Sequence, residues 1–287
     1  MNPLFVGPEP EISPARANDA AGSPAPTPAV ALADIIAEPV LLLGAGSTVL
    51  YQLAMKGVGQ GVAEHSTTLA RPVDRLRTTL TFVYAMILGT DEERQSIARM
   101  VNRAHAPVRS AGRYTAFDPD LQLWVAATLA QNGIDMYERV FGSLDDASRQ
   151  RLYEDSQIFG TILQVEPGAW PATYAEFLDY WAEALDRTEP DAAVRVYVQR
   201  LLDPNNGSVG ARALVRMQGL MSRGNLDPRI REVLCLTWTP TDQRAYDLFW
   251  TVFPPLYRLV PKALRQLPTR LVLADMRRRM RGGKRVI

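Results

Sequence analysis

Residues 90–108 read TDEERQSIARMVNRAHAPV, and the reading of this stretch decides the fold. Thr90 followed three residues later by Glu93 is a capping box, in which a hydroxyl and a carboxylate each satisfy a backbone N–H that the first helical turn leaves free. Behind it Ile97, Val101, Ala104, His105 and Val108 recur at spacings that place them on one helical face. Pro107 has no N–H and breaks the ladder. The same grammar recurs along the chain. Asp118 with Pro119 opens a second helix that Gly142 stops, and Ser143 with Asp146, Thr173 with Glu176 and Thr239 with Pro240 mark further starts. Glu189–Pro190 and Asp227–Pro228 punctuate the remainder. Period-two alternation is almost absent, so the expectation is an all-α, single multi-helix domain of roughly nine to eleven helices.

Residues 80–88, LTFVYAMIL, are apolar nearly all the way round, which predicts an enclosed central helix. Pro254, Pro255, Pro261 and Pro268 predict that the last forty residues break into short helical pieces. Residues 1–30 are rich in Pro, Ala, Ser and Gly and lack a basic segment followed by an apolar one; they read as a disordered tail, not a signal peptide. The domain is expected over residues 31–270, and residues 271–287, containing MRRRMRGGKR, as a basic tail. Solvation is the ordinary fate of such a tail, and a weak contact with an anionic bilayer is the functional one.

The charge balance, 32 Lys and Arg against 31 Asp and Glu, excludes the summed positive field that holds nucleic acid unaided. A single cysteine, Cys235, can form no internal disulfide, and no CxxC or zinc spacing occurs, which fits a reducing cytoplasm. The apolar run from Val40 to Met55 is interrupted by glycines and falls short of the ~20 residues a membrane span needs, so no transmembrane segment is expected.

Two histidines restrict the chemistry. His105 ends the apolar stripe of residues 97–108, where a helix-terminal cation or a ring bonded to a carbonyl is the plain structural alternative to a ligand for haem iron. His65 ranks behind it, as a cap or hydrogen-bonded spacer. Arg75 and Thr79 lie one turn apart on one face. Arg75 either pairs with Asp74 or another acid, or serves a haem propionate or bound oxygen, with Thr79 offering a hydroxyl beside it. Arg71, Arg103, Arg109 and Arg113 are further propionate candidates that read more simply as surface charges. Gly57, Gly59 and Gly61, like Gly44 and Gly46, read as close helix packing and not as a phosphate loop. The residues three before His65 and His105 are Val62 and Asn102, so the paired Glu-x-x-His of a di-iron bundle is missing. No GxSxG elbow or Walker loop occurs, which removes hydrolase and kinase readings. Asp145 and Asp146 read as helix-start acids.

Four segments in order carry a resemblance: LLLGAGSTVLYQLAMKGVGQGVAEHS (41–66), RPVDRLRTTLTFVYAMILGT (71–90), HAPV (105–108) and FDPDLQLWVAATL (117–129). Together they resemble the rubber oxygenase and MpaB-type oxygenase catalytic family, over roughly residues 35–260. The resemblance implies a globin-like helical core holding haem b, with iron on one histidine and dioxygen used to oxidise or cleave unsaturated, isoprenoid-like hydrocarbons. It places the axial histidine on His105 and the arginine and threonine of the open face on Arg75 and Thr79. Many relatives carry histidine where this chain has Met55 and Ala126, and rubber oxygenases carry lysine where it has Thr78. The expectation is therefore an intracellular haem oxygenase for a small lipophilic substrate, set against a non-catalytic helical binding protein for a hydrophobic ligand.

Overall fold

A computed structural model describes residues 30–203, 205 and 212–287, and these residues form an all-α structure. Helices α1 (Leu32–Ile36), α2 (Leu42–Ala54), α3 (Lys56–His65), α4 (Pro72–Leu88) and α5 (Asp91–His105) lead into a short antiparallel ladder, β1 (Arg109–Ser110) with β2 (Tyr114–Thr115). Then come α6 (Pro119–Phe141), α7 (Asp146–Ser156), α8 (Ile158–Thr161), α9 (Tyr174–Asp186) and α10 (Ala192–Leu202). The chain finishes with α11 (Arg212–Gly224), α12 (Pro228–Val233), α13 (Pro240–Leu259), α14 (Lys262–Arg265) and α15 (Leu267–Arg281). These outnumber the nine to eleven expected because segments such as α8 and α14 are four residues long, too short to show a period. The expected tail over residues 1–30 lies outside the described residues except for Val30.

The caps form largely where the sequence places them. Thr90 Oγ1 accepts from the Glu93 N–H at 3.2 Å and the Glu93 carboxylate accepts from the Thr90 N–H at 3.0 Å. Thr173 with Glu176 and Thr239 with Asp242 make the same reciprocal pair. The start expected at Ser143 falls instead at Asp145, whose carboxylate accepts from the Ser148 N–H at 2.6 Å. Replacing Thr90 by Ala is expected to cost about 1 kcal/mol in urea unfolding, and an unchanged midpoint would show that α5 does not depend on its cap.

Three expectations change. The central helix is α6, not residues 80–88: about half of its side chains are buried, whereas α4 buries only Thr78, Thr81, Tyr84, Ala85 and Met86. Small residues at Ala126, Ala127 and Ala130 let neighbours approach α6 closely, a feature that hydrophobicity alone does not register. Second, α13 continues through Pro254 and Pro255 to Leu259. Its inward side carries an aromatic series whose packing spans the prolines, with Phe249 on Phe253 at 4.9 Å and Phe253 on Tyr257 at 5.4 Å. Third, the basic end does not trail away. α15 runs to Arg281, and Leu273, Met276 and Val286 are buried, because an apolar side alternates with the arginines.

The glycines act in packing, as read. A methyl group added at Gly46 would collide with the Ser222 side chain, and at Gly59 it would meet the Leu53 carbonyl and Val194. These contacts bring α2 against α11, and α3 against α10. The buried apolar side chains form two clusters that share Tyr180 and Trp181; Trp124 stacks on Trp181 at 5.2 Å and donates its N–H to the Tyr51 carbonyl at 3.2 Å.

Candidate functional site around His105 and Arg75

Only Gly89 and Thr90 separate α4 from α5, so the two helices fold back on each other. Arg94 ties the turn, its Nε donating to the Met86 carbonyl at 2.8 Å. Arg75 lies fourteen residues before Gly89 and His105 fifteen after Thr90. At ~1.5 Å per helical residue both reach the same end of the pair, which explains how residues thirty apart in sequence come into electrostatic reach of one another.

The His105 ring is mostly enclosed. Its Nδ1 is sealed from water and has no hydrogen-bond partner, which leaves Nε2 as the ring nitrogen open to its surroundings. Burial, and secondly the Arg75 charge, hold its pKa below the ordinary 6.5. A lowered pKa favours the neutral imidazole at neutral pH over the helix-terminal cation. Among the described residues no group of three or more His, Cys, Asp or Glu is placed to hold a bare metal ion. His105 thus suits a metal that brings its other ligands with it.

Arg75 is exposed at the surface, although protein atoms around its guanidinium lower its pKa. Asp74 does not neutralise it, because that carboxylate accepts from Arg77 at 2.8 Å and lies 3.4 Å from Arg71. No acid pairs with Arg75 among the described residues. Thr79 Oγ1 donates to the Arg75 carbonyl at 2.9 Å and Thr78 Oγ1 does the same at 3.0 Å. The Thr79 hydroxyl has thus committed its hydrogen to the backbone and presents lone pairs to any visitor.

Tyr197 of α10 is a residue that sequence reading missed. Its Oη is buried without a partner, and the residue lies in electrostatic reach of Arg75. The signal was faint, one tyrosine among the apolar positions Val194, Val198 and Leu201. Tyr197 also walls a surface recess of about 430 Å³ with Ala63, Glu64, Ala192, Val196 and Arg200. A second recess of about 450 Å³, lined by Met100, Arg103, Ala104 and residues 283–287, lies behind α5 and contains none of the three groups.

His65 has other company. It is exposed, with Nε2 3.1 Å from Tyr114 Oη, and Tyr114 donates to Glu64 at 2.6 Å. Arg113 holds the same carboxylate with bonds of 2.9 and 3.1 Å. Arg71, Arg103 and Arg109 are exposed. Ala104 is also exposed, unlike the rest of the stripe. Met55 links α2 to α3, half-buried, and Ala126 is buried on α6 against the α8 side.

A polar chain one turn before His105 stiffens this end of α5. Gln164 Nε2 donates to Asn102 Oδ1 at 3.0 Å, the Gln164 N–H donates to Gln122 Oε1 at 3.0 Å, and Gln122 Nε2 donates to the Ala116 carbonyl at 2.7 Å. Gln122→Ala strands these partners and is expected to cost about 1–3 kcal/mol in denaturant unfolding; a cost below a few tenths would show that the network is idle.

The neutral ring carries a pH signature. Folding lowers the His105 pKa, so the unfolded chain binds more protons below pH 6.5. The stability this provides is complete above that value and is lost as pH falls through the depressed one. Asp135, its carboxyl pushed up to about 6 chiefly by burial, works in the opposite sense, losing its contribution as pH rises. Comparison with His105→Ala isolates the first effect. Between about pH 7.5 and about pH 5 the wild type is expected to lose more stability than the variant, and parallel curves would contradict a depressed pKa.

The family model described as ER-bound oxygenase mpaB/B'/rubber oxygenase, catalytic domain, matches residues 34–254. The chain is 35% identical over 250 residues, 84% of its own length and 98% of theirs, to two curated mycobacterial proteins. They are the uncharacterised proteins Rv2237 of Mycobacterium tuberculosis and Mb2261 of Mycobacterium bovis. No solved structure matches significantly. The matched span contains α4, α5 and α10, which carry Arg75, His105 and Tyr197, and the chain belongs to the mpaB and rubber oxygenase catalytic-domain family.

Proposed function

We propose that this protein is a haem-b-dependent oxygenase, that His105 ligates the iron within a globin-like helical core, and that its substrate is an unsaturated, lipophilic, isoprenoid-like molecule oxidised with dioxygen. The observation that carries the reading is the His105 ring, buried and neutral with Nε2 unengaged beside a guanidinium that no acid pairs among the described residues. The donor set fits the group. One neutral imidazole suffices for a metal already held in a porphyrin plane, and an unpaired arginine complements an acidic porphyrin side arm or a polarised oxygen. When bound, the haem supplies the dioxygen chemistry.

The chain's own residues supply position and polarity. Arg75 fixes a positive charge at the end of the α4–α5 pair, and its neighbourhood keeps the His105 ring unprotonated and available as a ligand. Thr79 accepts a hydrogen bond there and does not donate one, since its hydrogen is on the Arg75 carbonyl. Thr78, where rubber oxygenases carry lysine, also donates to that carbonyl and brings no charge. Tyr197 Oη is consequently the buried hydroxyl beside Arg75 with a proton to offer. The single cysteine, Cys235, supports placing the enzyme in the reducing cytoplasm.

Oxygen uptake by hemin-loaded protein with a lipophilic polyene tests the reading. Consumption with a carbonyl or hydroxyl product is expected; polyene binding without uptake would identify a non-catalytic binding protein. Arg75→Ala is expected to keep its helical circular dichroism and lose at least about tenfold in uptake or in haem retention, and unaltered values for both would remove Arg75 from the site.

A further inference from the structure

We propose that the outward face of α13–α15 docks on an anionic lipid bilayer. On α13, Leu248, Val252, Leu256 and Leu259 follow at steps of four, four and three, which aligns them on one side, and they are 48–79% exposed. The inward side is taken by the aromatic series. The chain turns at Val260 and Pro261, and three more leucines on α14 and α15, Leu264, Leu267 and Leu271, are 47–62% exposed. On α15 these leucines share their side with Arg278 and Arg281, while Thr269, Leu273 and Met276 face the core. Scattered exposed leucines are ordinary; seven large apolar side chains over consecutive helices are not.

The charge identifies the occupant. Residues 240–287 contain eleven Lys and Arg against Asp242, Asp247 and Asp275, and with Lys262, Arg265 and Arg277 paired to Asp34, Glu38 and Glu93 a surplus of five remains in a chain whose net charge is +1. Arg258, Arg270 and Arg281 are exposed and form no ion pair among the described residues. Leucines rimmed by free arginines complement a layer of acidic headgroups over hydrocarbon. A second copy of the chain would oppose the same surplus to itself across a twofold axis. Among the described residues no helix is long and apolar enough to cross a membrane, so the contact is made by the face of the helices. Among the described residues none of these side chains forms a hydrogen bond or ion pair with His105 or Arg75, and the inference stands apart from the haem reading.

Co-sedimentation of the full chain with vesicles of phosphatidylcholine, with and without phosphatidylglycerol, tests it. Binding to the anionic vesicles, weakened by added salt, is the expected result. The double variant Arg270→Gln, Arg281→Gln is expected to weaken partitioning about thirtyfold. Leu267→Ser with Leu271→Ser weakens it about tenfold or more. All four side chains are exposed, so circular dichroism should be unchanged. Equal binding to neutral vesicles, no binding at all, or a wild-type dimer that the leucine variant disperses would each overturn the proposal.

Discussion

His105→Ala will bind hemin more than about a hundredfold more weakly than the wild type and will lose the Soret band of the protein-bound pigment, while its helical content stays unchanged. Loss of groups that merely orient a metal ligand already costs 10–100-fold in affinity, so loss of the ligand costs more. The fold survives because the ring contributes little to it. Its Nδ1 is buried without a partner, and removing a polar atom that makes no bond relieves a desolvation cost. The apo variant is therefore expected to be as stable as the wild type or slightly more so. That combination separates a ligand from a core residue, whose truncation would lower stability and leave any pigment in place. Should His65→Ala abolish the band instead, the ligand would be the ring beside Tyr114.

Glu38→Ala will be the most destabilising of the single substitutions considered, at about 3–5 kcal/mol, or about 6–20 °C in Tm. Glu38 is 3% exposed, and its carboxylate accepts from Tyr257 Oη at 2.8 Å, Arg265 Nη2 at 3.2 Å and Gln266 Nε2 at 3.4 Å. Arg265 is itself enclosed between the rings of Phe141 and Tyr257, at 5.1 and 5.2 Å. Removing the acid leaves a buried guanidinium uncompensated at the point where the chain entering α2 meets α13 and α14. Replacing both partners, Glu38→Ala with Arg265→Met, should recover most of the loss because no charge is then stranded. A single-variant cost below about 1 kcal/mol would show that the pair does not hold the two ends of the chain together.

What could be read from sequence follows from range. Caps and stops act within four residues, and Thr90, Asp118, Gly142, Thr173 and Thr239 all perform as read. Arg75 and His105 were singled out one by one; what joins them is the two-residue turn at Gly89 and Thr90, whose effect depends on the lengths of two helices. Tyr197 joins through α10, far along the chain, where no local pattern announces it. Glu38 carries no local signal, because Tyr257 and Arg265 lie more than two hundred residues away. The centrality of α6 rests on small side chains, whose significance appears only when neighbours close around them.

The most direct test of the central claim is the absorption spectrum of wild-type protein titrated with hemin, followed by solvent extraction of the pigment. One haem b per chain, with a Soret band distinct from that of free hemin, is the expected result. Folded protein that stays colourless and takes up no hemin would contradict it.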